Sequence, residues 1–213
     1  MPLEPAIAEL VNDFIAAGRP SPRRQTVAER RAGYVASTIL AGEKEMRVDV
    51  RDVSLEGMTL RVISPQGAHG NRPTVIYYHG GCFVSGGFAT HEKQLRQLAY
   101  HSGCRVIAMQ YRLAPEHVYP AAHDDAHHAA MLAWQHADFL GVDREQITLA
   151  GDSAGGHIAL ITALRLRDES RWLPHKLLLI YPMLDATASF DSYQRNGDDY
   201  IITRDTLISG YEA

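Results

Sequence analysis

The chain has 213 residues, 46% of them hydrophobic and 22% charged, with a formal net charge of −4; that balance fits one sizeable α/β domain with a buried core. The small negative charge, without an extended run of Lys or Arg, excludes electrostatic recognition of nucleic acid or of an anionic membrane surface. Met1-Pro2-Leu3-Glu4-Pro5 lacks the basic start of a secretory signal, no apolar run approaches the roughly 20 residues of a membrane span, and only Cys82 and Cys104 carry thiols, which together predict a cytoplasmic protein with reduced cysteines.

Apolar residues at Ile7, Leu10, Val11 and Ile15 follow a helical period that Gly18 and Pro20 end, and a second, polar-rich helix contains Val27 and Ala28. Residues 1 to about 40 are therefore predicted to form an N-terminal helical arm. Residues 46–50 and 58–63 alternate apolar and polar side chains on either side of a Glu56-Gly57 turn signal, the pattern of a half-exposed antiparallel pair at a sheet edge. From Pro73 onward, short apolar runs at 74–78, 104–109, 146–150 and 176–181 alternate with longer helical stretches, which predicts parallel, central strands covered by helices. Cys104 reads as a small core hydrophobe at a strand start.

Two glycine loops carry the chemistry. Gly151-Asp152-Ser153-Ala154-Gly155 follows the third of these runs and precedes a helix-compatible stretch; small residues there let a strand turn sharply into a helix with the serine hydroxyl at the bend. His79-Gly80-Gly81-Cys82-Phe83 follows the strand that ends at Tyr78, where acyl transfer on such a sheet needs backbone N–H groups aimed at a developing oxyanion. The N–H of Ala154, at a helix start, is a further donor reinforced by the helix dipole.

With Tyr111-Arg112-Leu113-Ala114-Pro115-Glu116-His117, Tyr119-Pro120-Ala121-Ala122 and Tyr181-Pro182, these loops make the chain resemble the hormone-sensitive-lipase-like family of α/β-hydrolases, the bacterial acetyl esterases and carboxylesterases, over nearly its whole length. The resemblance implies an α/β-hydrolase fold: a mostly parallel sheet with helices on both faces, cap helices over residues 1–40, a core over 41–182 and the start of a second cap segment over 183–213, with the C-terminal strands missing. It implies Ser153 as nucleophile, an oxyanion hole from Gly80, Gly81, Cys82 and Ala154, a small-molecule ester with a short acyl chain as substrate, and no cofactor. Cys82 stands where the family usually has a third glycine; its N–H survives the change, but a positive φ there would be strained by its Cβ. Arg112 and Glu116 read as scaffold, an ion-pair or hydrogen-bond anchor for the turn before Pro120.

No histidine follows His175, so the family's acid and base have no counterpart, and the isolated chain is expected to be nearly inactive. His157 is expected to point away from the hydroxyl, His79 to order its own loop, and Asp185 to serve a turn or cap rather than a triad. The apolar strand 176–181 is expected to need a second chain or protomer along its edge. Two alternatives compete: a non-catalytic relative that binds ligands or partners through the old pocket, and a metal-binding hydrolase using His123 and His127, four apart on one helix.

Overall fold

The computed structural model describes residues 3–18, 21–198 and 200–213. The Met1-Pro2 start, the Pro20 helix stop and Asp199 lie outside the described residues. The two N-terminal helices are α1, Pro5–Ala16, and α2, Val27–Ala36, with a 3-10 turn at Pro22–Arg24 between them. Thr26 and Glu29 begin α2 with a reciprocal capping box, which satisfies two backbone N–H groups that a helix start leaves open. On α1 only Val11 is buried, and Ile7 and Ile15 face outward.

Strands β1, Val48–Leu55, and β2, Met58–Pro65, form the predicted antiparallel hairpin, with Leu55 paired to Met58. Glu56 and Gly57 both have positive φ, 49° and 81°, the backbone hand that matches the twist of a two-residue hairpin. Strands β3, Arg72–Tyr78, β4, Arg105–Met109, β5, Val142–Asp152, and β6, Lys176–Ile180, are parallel, and the sheet order is β1-β2-β4-β3-β5-β6. Cys104 sits just before β4 and is half-buried.

Both sheet faces are covered, and the period-2 alternation of the strands sorts side chains between them. Val75 and Tyr77 of β3 join Val106, Ala108 and Ala150 under Leu95 and Ala99 of α3, Phe88–Ser102. Ile76 and Tyr78 join Ile107, Met109 and Leu149 on the other face, beneath α4, Ala121–Gln135, and α6, Ala154–Asp168. A row of alanines on α4, Ala122, Ala126, Ala129, Ala130 and Ala133, is buried in that layer and lets the helix lie close to its neighbours.

The expectation that all four parallel strands are central is corrected for β6. It pairs with β5 alone and stands at the edge of the sheet, with Leu177 and Leu178 each 42% exposed. Consecutive apolar residues signal a strand meant for cover on both faces, but within this chain the cover on β6 is partial. The remaining helices are α5, Ala137–Leu140, α7, Ser192–Arg195, and α8, Arg204–Tyr211, the last started by the Thr203 hydroxyl accepting from the Thr206 N–H.

Candidate active site

Strand β5 delivers Ser153 to the start of α6 with φ 54° and ψ −119°, a conformation favoured by glycine at the first central position of a type II′ turn and costly for a residue with a Cβ. The bend is possible because its neighbours are bare. A Cβ on Gly155 would overlap the Tyr78 carbonyl oxygen and stand 2.6 Å from that of His79, and one on Gly151 would stand 2.7 Å from Tyr78 O. Backbone bonds hold the bend: the Ser153 N–H donates to Ile180 O at 2.9 Å, and the Met183 N–H donates to Ser153 O at 3.1 Å.

The second loop stands beside it, after β3. Gly81 has φ 127°, and Cys82 and Phe83 have φ 52° and 62°, so the strain expected of Cys82 is present in its left-handed backbone. The Cys82 side chain is buried with Ala154 and Met183, under Phe83, Leu207 and Tyr211, and burial pushes its thiol up to about 11. Helix α8 closes over it so tightly that a Cβ on Gly210 would lie 2.6 Å from Cys82 Cβ.

Of the amides expected to form the oxyanion hole, that of Gly80 already has an acceptor. The Gly80 N–H donates to Asp152 Oδ1 at 2.9 Å, because a buried carboxylate demands donors, so this amide is not free for a substrate. The N–H groups of Gly81, Cys82 and Ala154 find no acceptor among the described residues. Asp152 also accepts from the Tyr77 hydroxyl at 2.9 Å. Burial by itself would raise its carboxyl, but bonds from His91, Tyr77 and Gly80 outweigh that and hold it below the usual range.

No histidine ring near the bend is hydrogen-bonded to Ser153 among the described residues; His157 reaches it only through its backbone N–H, which donates to Ser153 O at 3.2 Å. His79 stacks on Tyr111 at 4.1 Å, its Nδ1 lies 2.9 Å from Gly80 O, and burial pushes its imidazole down to about 4; it orders its own loop. His157 donates from Nδ1 to Met183 O at 2.9 Å, with Phe83 edge-on at 5.6 Å. Asp185 is spent on its own turn, accepting from the Thr187 N–H at 3.0 Å and the Ser189 N–H at 2.8 Å, and the Thr187 hydroxyl bond leads in lowering it to about 2.

His123 and His127 share α4 but not a site. His123 lies among Phe83, Tyr119 and His157, while His127 Nε2 is 3.2 Å from Glu169. Among the described residues no group of three or more His, Cys, Asp or Glu is placed to hold a metal ion, so the two rings have no third ligand.

Arg112 and Glu116 do brace the segment, through separate and partly exposed partners. Arg112 forks onto Asp125 of α4, with contacts of 2.7 to 3.0 Å. Glu116 takes two bonds from Arg31 of α2, at 2.7 and 2.8 Å, and Arg31 also donates to Val84 O at 2.9 Å and Ala114 O at 3.2 Å. Helix α2 is thereby pinned to the loop that holds Gly81. This clamp, the Asp152 hub and the packing of Tyr211 escaped the sequence reading, since their partners lie far apart along the chain.

A family model described as the alpha/beta hydrolase fold matches residues 75–213. The chain is 39% identical to a carboxylesterase of Mycobacterium tuberculosis over 76% of its own length and 52% of the relative's, so it spans about half of that protein. An ethyl acetate hydrolase of Pseudomonas putida is 34% identical over the whole chain and 71% of its own length. Among solved structures, a hyperthermophilic esterase from the archaeon Pyrobaculum calidifontis superposes with TM-score 0.88 at 36% identity, covering 99% of this chain and 69% of that one. An ester-hydrolase from the Lake Arreo metagenome, complexed with a bipyridine phosphonate derivative, gives 0.90 at 31% identity, covering 99% and 70%. A strand that ends in a strained serine bend beside a glycine loop, in a mostly parallel sheet wrapped by helices, thus agrees with the family match, and the chain belongs to the α/β-hydrolase fold family, in its hormone-sensitive-lipase-like group.

Proposed function

We propose that this chain carries the nucleophile and oxyanion hole of a serine carboxylesterase acting on small esters with short acyl groups. The observation that carries the reading is Ser153 on its strained bend between β5 and α6, with the amides of Gly81, Cys82 and Ala154 lacking acceptors among the described residues. Ser153 Oγ attacks the ester carbonyl, the amides receive the negative charge on the carbonyl oxygen, the alcohol leaves, and water then releases the acyl group. Relatives named as carboxylesterase, ethyl acetate hydrolase and acetyl esterase support the substrate class.

The isolated chain is proposed to turn over slowly, because Ser153 has no imidazole bonded to it among the described residues; losing a triad member in serine hydrolases can cost roughly 10⁶ in kcat. Helices α1, α2 and α8 are read as cap segments. The half-exposed edge of β6 is proposed to take a further strand from a second polypeptide or protomer, since β6 pairs with β5 alone and leaves Leu177 and Leu178 half-exposed. Two free cysteines suit a cytoplasmic protein, and among the described residues no helix is long and apolar enough to cross a membrane.

The test is labelling of the purified chain with a fluorophosphonate, followed by mass mapping, with Ser153→Ala as control. Slow but specific modification of Ser153 supports the reading. Modification spread over other serines, or none at Ser153 despite saturable binding of an ester, overturns it in favour of a non-catalytic binder.

A further inference from the structure

Asp152, between the glycine bend and the nucleophile, is 7% exposed, and its surroundings include a ring that the proposed chemistry does not use. His91, near the start of α3, is 2% exposed, and its Nε2 lies 3.2 Å from Asp152 Oδ1. Its Nδ1 is 2.7 Å from the Thr90 hydroxyl, and Tyr34 of α2 meets the ring edge-on at 5.8 Å. Nε2 also lies 3.3 Å from the Gly80 nitrogen and 3.4 Å from the Tyr34 hydroxyl; of these neighbours the carboxylate is the charged one, and a lone pair facing it at 3.2 Å would be repelled, which favours the tautomer whose Nε2–H donates to Asp152. Asp152 in turn takes the Gly80 N–H, and Gly80 approaches so closely that a Cβ there would overlap the carboxylate. On the far side, a Cβ on Gly81 would stand 3.1 Å from Tyr34 Cε1.

The peptide that precedes the free Gly81 and Cys82 amides is therefore held at two points. Asp152 anchors Gly80, and Tyr34 backs Gly81. We propose that His91 is a positioning residue: its Nε2–H fixes the Asp152 carboxylate in the rotamer that anchors Gly80, and so aims the Gly81 and Cys82 amides at the site. The ring touches no reacting atom and acts through Asp152. The inference rests on the reading of Gly81 and Cys82 as oxyanion donors, but its structural half, His91 holding Gly80 through Asp152, can be read without any reaction.

The experiment compares His91→Gln, His91→Asn and His91→Leu in the purified chain. A glutamine amide nitrogen can occupy the place of Nε2, whereas asparagine, one methylene shorter, falls short of it. Two readouts are taken: the proton shift and hydrogen-exchange rate of the Gly80 amide by NMR, and the rate of fluorophosphonate labelling of Ser153. In the Leu and Asn variants the Gly80 amide is expected to move upfield and exchange at least several-fold faster, and labelling to slow by about tenfold, less than the 10²–10³ of deleting an oxyanion donor outright; Gln restores both. If the Leu variant does not fold, the Gln and Asn pair decides. Equal Gly80 amides and equal labelling in Gln and Asn overturn the proposal. Undetectable labelling in the parent chain counts against the esterase reading, while the Gly80 amide still decides whether His91 holds the loop. A disturbed amide with unchanged labelling overturns the link to the oxyanion donors.

Discussion

Replacing Ser153 by glycine is expected to stabilise the fold while abolishing its chemistry. At φ 54° and ψ −119° the serine lies outside the small left-handed region open to L-residues, where ψ is near +30 to +60°, and such a residue stores about 1–3 kcal/mol. Glycine releases that strain but gives up roughly 0.5–1 kcal/mol through its freer unfolded chain, leaving a net gain of about 1.25 kcal/mol at the centre of the two ranges. Ser153→Ala is the matched control, because it also removes the hydroxyl but keeps the Cβ and its strain. Urea unfolding followed by far-UV circular dichroism measures the difference; with a slope of about 2 kcal/mol per molar urea, the glycine midpoint should lie about 0.6 M above that of alanine. A glycine variant at or below the alanine variant would refute the claim that the backbone strains to present the hydroxyl.

Four further outcomes are expected. Arg31→Ala removes a donor from Val84 O and Ala114 O and the partner of Glu116, costing about 1–3 kcal/mol; hydrogen exchange should accelerate along α2, and unchanged protection there would contradict the clamp. Burial pushes His79 and His123 from 6.5 down to about 4. The unfolded chain therefore binds protons before the folded one does, and stability should be flat above pH 6.5 and fall between 6.5 and 4, by up to about 1.4 kcal/mol per pH unit for each ring. His123→Phe should flatten that slope in urea titrations at pH 7, 6 and 5, and an unaltered slope would count against a neutral buried ring. Gly210→Ala places a Cβ against Cys82 and should lift α8, so Cys82 in a Cys104→Ala background should react several-fold faster with a maleimide; an unchanged rate means the helix does not seal the thiol. Asp185→Asn should leave Ser153 labelling within about twofold, since that carboxylate serves Thr187 and Ser189, and a large loss would contradict its turn role.

The local chemistry was legible because it depends on neighbours in the chain. A two-residue turn between alternating segments, consecutive apolar residues in each parallel strand, and bare glycines flanking Ser153 all express constraints that act within a few residues. The hairpin, the four parallel strands, the bend and the strained backbone of Cys82 are accordingly visible in the letters. The strands' positions across the sheet were less so: the apolar run of β6 reads the same whether one neighbour or two lie beside it.

What only tertiary structure decided is how the loops spend their hydrogen bonds. The sequence alone could mark Gly80 and Gly81 as equivalent amides in one glycine loop, because nothing local distinguishes them. Folding brings the carboxylate of Asp152 from the end of β5 against the end of β3 and commits the Gly80 N–H to it, leaving Gly81 and the residue after it for the site. The same holds for Arg31 and Glu116, and for His91 and Asp152, which meet across 85 and 61 positions of chain. A buried charge or amide must find a partner wherever the fold supplies one, and that choice is made in three dimensions.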